Sequence, residues 1–124
     1  MKPGRCMRPR EDTVLLNDML DYARRAVDAV EGATRAGLDT DPVLVGALER
    51  FVEVVGEAAG RVSEATRQST SEIPWHEIIA MRNRLVHGYF AVDLNILWTV
   101  VDEDLPGLID ALEKLVASDM DVPE

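Results

Sequence analysis

The strongest constraint on this chain is a period. From Glu11 to about Arg35 the apolar residues Leu15, Met19, Tyr22, Ala26 and Val30 recur at three- and four-residue steps, and Leu16, Leu20, Ala23 and Val27 widen the stripe. A second stripe of the same kind runs from Pro42 to about Arg67 through Leu44, Leu48, Phe51, Val52, Val55, Ala59 and Val62. Two long helical stripes must bury their apolar faces against other elements, and no segment carries the two-residue alternation of a strand. The expected fold is therefore all-α, an antiparallel bundle of four to five helices.

Punctuation between the stripes sets the expected boundaries. Gly37 and Asp39-Thr40-Asp41-Pro42 end the first helix and open the second, with Asp41 as cap and Pro42 at the first helical position. Gly56 and Gly60 weaken the second helix, so both are expected where another helix comes close. Gln68 to Pro74 reads as a loop. A third helix starts near Trp75, buries Trp75, Ile78, Ile79, Leu85 and Val86, and stops at Gly88 in a left-handed conformation. Asp93 caps a fourth stretch through Leu94, Leu97, Trp98 and Val101. Pro106 must kink or break that run, because it cannot donate to the carbonyl of Asp102. A last helix reaches about Ser118. A chain of 124 residues suits one core, giving a helical domain over 11–118, a basic, poorly ordered arm over 1–10 and a frayed acidic tail over 119–124.

Charge narrows the partners. The net charge is −10, and Lys2, Arg5, Arg8 and Arg10 leave only nine basic residues against 23 acidic ones in the rest. Such a body argues against a broad phosphate-neutralising surface but leaves room for a local basic site. The arm could hold a polyanion; a solvated terminus explains it as well, and no function is assigned to it. The single cysteine, Cys6, excludes an intramolecular disulfide and fits a reducing cytoplasm. No apolar run is long enough to span a bilayer, so a cytoplasmic chain off the membrane is expected.

His76-Glu77-Ile78-Ile79-Ala80 begins like a zinc-protease helix, but Ala80 stands where the second histidine would be. With only His76 and His87 in the chain, no metal site and no cofactor is expected. There is no phosphate loop and no G-x-S-x-G.

What remains is Arg82-Asn83-Arg84-Leu85-Val86-His87-Gly88-Tyr89. Basic groups in the last turns before a capping glycine are structurally unremarkable, since they favour the carbonyl end of the helix. Two details point further. Arg82 falls on or beside the apolar stripe of the third helix, where a guanidinium needs a partner, an interface or an anionic ligand. Asn83 and His87, four apart, share a face. Arg82 and His87, however, stand about 140° apart on an ideal helix. Either the helix end distorts near Gly88, or two copies of the chain complete one site across a two-fold axis.

These residues resemble the HEPN superfamily, and specifically its HepT-like branch, whose hallmark is Arg, a polar residue, a short spacer, His, one residue and Tyr. The likeness extends to Glu57-Ala58-Ala59, to Trp75 seven residues before the Arg, to Val92-Asp93, Leu97-Trp98 and Leu105-Pro106, and covers roughly residues 11 to 117. It implies a two-fold homodimer with the site at its interface and metal-independent cleavage of RNA, a tRNA or mRNA. In that reading Arg82, His87 and Asn83 are catalytic, and Arg84 and Glu57 are supporting residues that ordinary surface charges or ion pairs would explain equally well. It also implies the toxin of a type VII-like toxin–antitoxin pair, neutralised when an MntA-type nucleotidyltransferase antitoxin transfers AMP to Tyr89. The rival expectation is a non-catalytic HEPN module that binds a nucleotide or docks a nucleotidyltransferase.

Overall fold

The two apolar stripes become the two longest helices, α1 (Arg10–Ala29) and α2 (Pro42–Arg61), which pack on each other through Leu16, Met19, Ala23, Leu48, Val52 and Val55, all fully buried. The computed structural model describes residues 9–87 and 93–120, excepting the side chains of 85–87 and 119–120. Around the pair lie α3 (Glu64–Ser69), α4 (Trp75–His87), α5 (Leu94–Thr99) and α6 (Leu105–Met120). The packing is antiparallel, α4 against α2 and α6 against α1, and no strand occurs among the described residues. The expected all-helical bundle is what forms. No described helix is long and apolar enough to cross a membrane.

Capping behaves as the local chemistry dictates. Asp41 accepts from the Leu44 N–H at 3.0 Å, with Pro42 beside it, and Asp93 accepts from the N–H groups of Asn95 (2.9 Å) and Ile96 (3.2 Å).

Two boundaries differ from expectation, and a third takes the milder of the two forms expected. The first helix stops at Ala29 rather than near Arg35, because Gly32 turns the chain at φ 79°. Residues 35–40 then form a separate 3-10 turn, whose cap Thr34 accepts from the Gly37 N–H at 3.1 Å. The second helix ends at Arg61 instead of running to Arg67, because Val62 is extended and Ser63 caps the new helix α3, which occupies part of the expected loop. Finally, Pro106 does not break its run. Residues 100–104 widen into a π turn in which the Leu105 N–H reaches the carbonyl five residues back, on Val100, and α6 continues from there. The π turn supplies the ring with room that a regular α-helix would not.

Candidate functional site

The helix that carries the hallmark is fixed at its start by a buried polar lock. Asp12, only 3% exposed, accepts from the Ser63 N–H (3.0 Å), the Ser63 hydroxyl (2.5 Å) and the Thr66 hydroxyl (2.6 Å). It thereby ties α1 to the first turn of α3. The buried Thr70 hydroxyl donates to the Thr66 carbonyl at 2.7 Å. In turn the Trp75 indole N–H donates to Thr70, at 3.2 Å to its carbonyl and 3.1 Å to its hydroxyl oxygen. Each donor in this chain of bonds has a partner, so the register of α4 is set before the hallmark begins.

Two turns further on, Arg82 crosses α2 at Gly56. A Cβ added to Gly56 would sit 2.6 Å from Arg82 Cγ and 3.4 Å from its Cα, and closer still to its Cβ. The expectation that α2's glycines mark a close helix thus holds for Gly56 and fails for Gly60, which has nothing within 4 Å. Arg82 itself is half-buried. Its Nε is buried without a hydrogen-bond partner among the described residues, and its Nη1 donates to Asn83 Oδ1 at 3.1 Å.

The other sequence-predicted residues spread out from this point. Asn83 is exposed and engaged with Arg82. Arg84, also exposed, is two residues and so about 200° away. It lines a different cleft of about 680 Å³, between α4 and the π turn, with Ile78, Met81, Glu103, Leu105 and Leu108. Within one copy, Arg84 and Arg82 do not meet. Glu57 is exposed and forms no hydrogen bond or ion pair with Arg82 among the described residues. α4 stays helical through His87, whose side chain lies outside the description, and Gly88 and Tyr89 lie outside the described residues altogether. So do most of the basic arm and the last four residues of the tail.

Some residues near the site gave little warning. Asp12 reads in the sequence as an ordinary acidic residue in a first helical turn, and only the fold makes it the core's buried carboxylate. Glu49 lies seven residues before Gly56, about 20° from it around α2, on the side where α4 packs. Burial, and then the neighbouring Glu53, push its carboxyl above the ordinary range. Arg67 has an Nε buried without a partner among the described residues and lines a shallow cleft of about 280 Å³ with Trp75 and His76. Among the described residues, no three His, Cys, Asp or Glu side chains group closely enough to hold a metal ion.

A family model described as Ribonuclease HepT-like matches residues 19–115. Among curated sequences, the "Probable ribonuclease HepT" of Thermococcus cleftensis is 35% identical over 102 residues, spanning 79% of this chain and 93% of the relative. A "Putative RNase" of Caldanaerobacter subterraneus subsp. tengcongensis is 31% identical over 101 residues, spanning 82% and 90%. No solved structure matches.

Proposed function

This chain belongs to the HepT-like ribonuclease family, and on that premise we propose that it is a metal-independent endoribonuclease, the toxin of a toxin–antitoxin pair, with an active site completed by a second copy of the chain. The observation that carries the reading is Arg82. A half-buried guanidinium, whose Nε has no partner among the described residues and whose bond to Asn83 uses one terminal nitrogen, is a cation short of an anion. An RNA phosphate is an anion of matching geometry.

The chemistry needs no more than the hallmark supplies. The ribose 2′-oxygen attacks the adjacent phosphorus as its proton leaves, the bond to the 5′-oxygen breaks, and that oxygen takes up a proton. His87 moves protons in this exchange, since imidazole titrates near neutral pH. Arg82 opposes the negative charge that grows on the phosphorane oxygens. Asn83, bonded to Arg82, orients the guanidinium. Because α4 is helical through His87, positions 82 and 87 stand about 140° apart around the helix axis within one copy. That geometry supports a homodimer in which each copy completes the other's site, with Arg84 adding positive charge at its edge and Glu57 available to the partner. The implied antitoxin, a nucleotidyltransferase, adds AMP to Tyr89 and sets a bulky anion where substrate phosphate must sit.

The test is cleavage of a mixed tRNA and mRNA pool in EDTA by wild type, Arg82→Ala and His87→Ala, beside a DNA control and light scattering. The expected result is a dimer of about twice 13.7 kDa that cuts RNA, spares DNA and loses activity in both variants. Cleavage that survives His87→Ala, or that a chelator abolishes, refutes the mechanism, and a monomer at micromolar concentration refutes the shared site. A wild type that cuts nothing returns the chain to the non-catalytic nucleotide-binding or docking reading.

A further inference from the structure

We propose that Gly56 is a positioning residue for Arg82: the bare backbone of α2 at this point is a seat that holds the arginine stem and so aims its guanidinium. The proposal rests on the reading above that Arg82 meets the RNA phosphate. Three glycines lie in α2, and the structure separates them. A Cβ on Gly46 or on Gly60 would meet nothing within 4 Å. The three atoms nearest a Cβ on Gly56 all belong to Arg82, with Cβ closest, Cγ at 2.6 Å and Cα at 3.4 Å; the first two are well inside the distance of about 3.5 Å at which carbons touch.

The atoms in the way are not the free end of a flexible chain. Cα and Cβ belong to the body of α4, so a methyl group at position 56 cannot be accommodated by swinging Arg82 aside; α4 must slide, tilt or rotate. The start of α4 is held by the Trp75 bonds to Thr70, so the displacement is taken up nearer the hallmark. Among the described residues, the guanidinium has no hydrogen bond to another element of the fold. Its Nε has no partner among the described residues, and its bond to Asn83 joins it to its own neighbour on the same helix, which moves with it. Packing on Gly56 is therefore what sets the position of this side chain relative to the rest of the bundle. A glycine weakens a helix interior, and of the three glycines in α2 the one at 56 stands where a side chain would strike the arginine.

The experiment compares Gly56→Ala with Gly60→Ala in the full chain, with wild type and Arg82→Ala run alongside. Cleavage kinetics, thermal melts and solvent exchange of the Arg82 Nε–H by NMR are followed for each. Gly60→Ala should stay within about twofold of wild type. Gly56→Ala should fold cooperatively yet lose on the order of 10- to 100-fold in kcat, the scale of a misplacement of about 1 Å, and its Arg82 Nε–H should exchange much faster as the seat opens. A purely structural glycine would lower the melting point and leave kcat per folded molecule and the exchange rate alone.

Gly56→Ala that cleaves at the wild-type rate, with exchange unchanged, overturns the proposal. If it fails to fold, wild type decides: an Arg82 Nε–H that exchanges as fast as that of exposed Arg84 shows there is no seat. If Arg82→Ala itself cleaves normally, the reading of Arg82 as a phosphate-binding group has failed; if Arg82→Ala is dead and Gly56→Ala is fully active, the seat alone has failed.

Discussion

Replacing Asp12 with alanine should cost far more than its place in a first helical turn suggests. The carboxylate is 3% exposed and, among the described residues, accepts from the Ser63 N–H, the Ser63 hydroxyl and the Thr66 hydroxyl. A hydrogen bond to a charged group contributes about 1.5–3 kcal/mol. The two hydroxyls can rotate toward other acceptors, whereas the Ser63 N–H cannot. We expect Asp12→Ala to lose about 3–5 kcal/mol, from a total on the order of 6–19 kcal/mol for a chain of this length. That is a drop of roughly 10–20 °C in melting temperature. Asp12→Asn, which keeps one acceptor oxygen, should lose about 1–2 kcal/mol. Urea denaturation gives the free energies, and a cycle with Ser63→Ala and Thr66→Ala isolates the coupling. Cleavage per folded molecule should be unchanged in Asp12→Asn, since Trp75 stands seven residues, about 10 Å, before Arg82 on α4. A loss under about 1 kcal/mol in Asp12→Ala, or equal losses with and without the two hydroxyls, would refute the lock.

Three other outcomes follow from the same structure. Glu49 carries a carboxyl raised by burial and by Glu53, so the folded state holds its proton more tightly than the unfolded chain does and stability falls as pH rises from the ordinary value of 4.5 through the raised one. Glu49→Gln should therefore melt higher than wild type at neutral pH, with the gain vanishing as pH falls below 4.5; a gain that persists in acid contradicts it. Tyr89→Phe should keep cleavage but escape AMP transfer by the antitoxin, as mass spectrometry of the co-expressed pair would show; continued modification identifies a different acceptor. With a chain of net charge −10, RNA contact should rest on few phosphates, giving a log–log salt slope of only about −1.5 to −3 for two to four contacts at roughly −0.7 each. A slope near −7 would imply a broad basic surface that this chain does not carry.

Local chemistry was legible, and contacts across the chain were not. Asp41 before Pro42 and Asp93 before Leu94 cap as read, because a cap involves only the next three residues. The stripes of α1 and α2 bury most of the residues they named, while Leu15, Tyr22, Val27, Leu44 and Phe51 pack at the edge of the core and stay partly exposed. The break after Arg61 was hidden because the apolar period continues through Val62, which is buried. Ser63 opens a new helix there with Asp12, 51 residues away, meeting its N–H and hydroxyl. The end of α1 was hidden in the same way, since Val30 keeps the period and is buried although it lies past the helix. The hallmark from Arg82 to Tyr89 could be read as a string, while the surroundings that give Arg82 its meaning come from α2.

Two readings that looked unrelated in the sequence turn out to be one feature. Gly56 in a helix interior and Arg82 on an apolar stripe each conflict with local preference, the first through backbone freedom and the second through desolvation. In the fold they touch, and each accounts for the other: the glycine leaves the space, and the arginine stem fills it with methylene groups while its charged end emerges beside Asn83. A leucine at position 82 would cover the same surface without burying an Nε that has no partner among the described residues, so packing alone does not call for arginine there. Local conflicts of this kind concentrate at working sites. Gly60, with open space around it and no side chain across from it, shows that a glycine in α2 need not imply one; it is the pairing with a half-buried cation that singles out position 56.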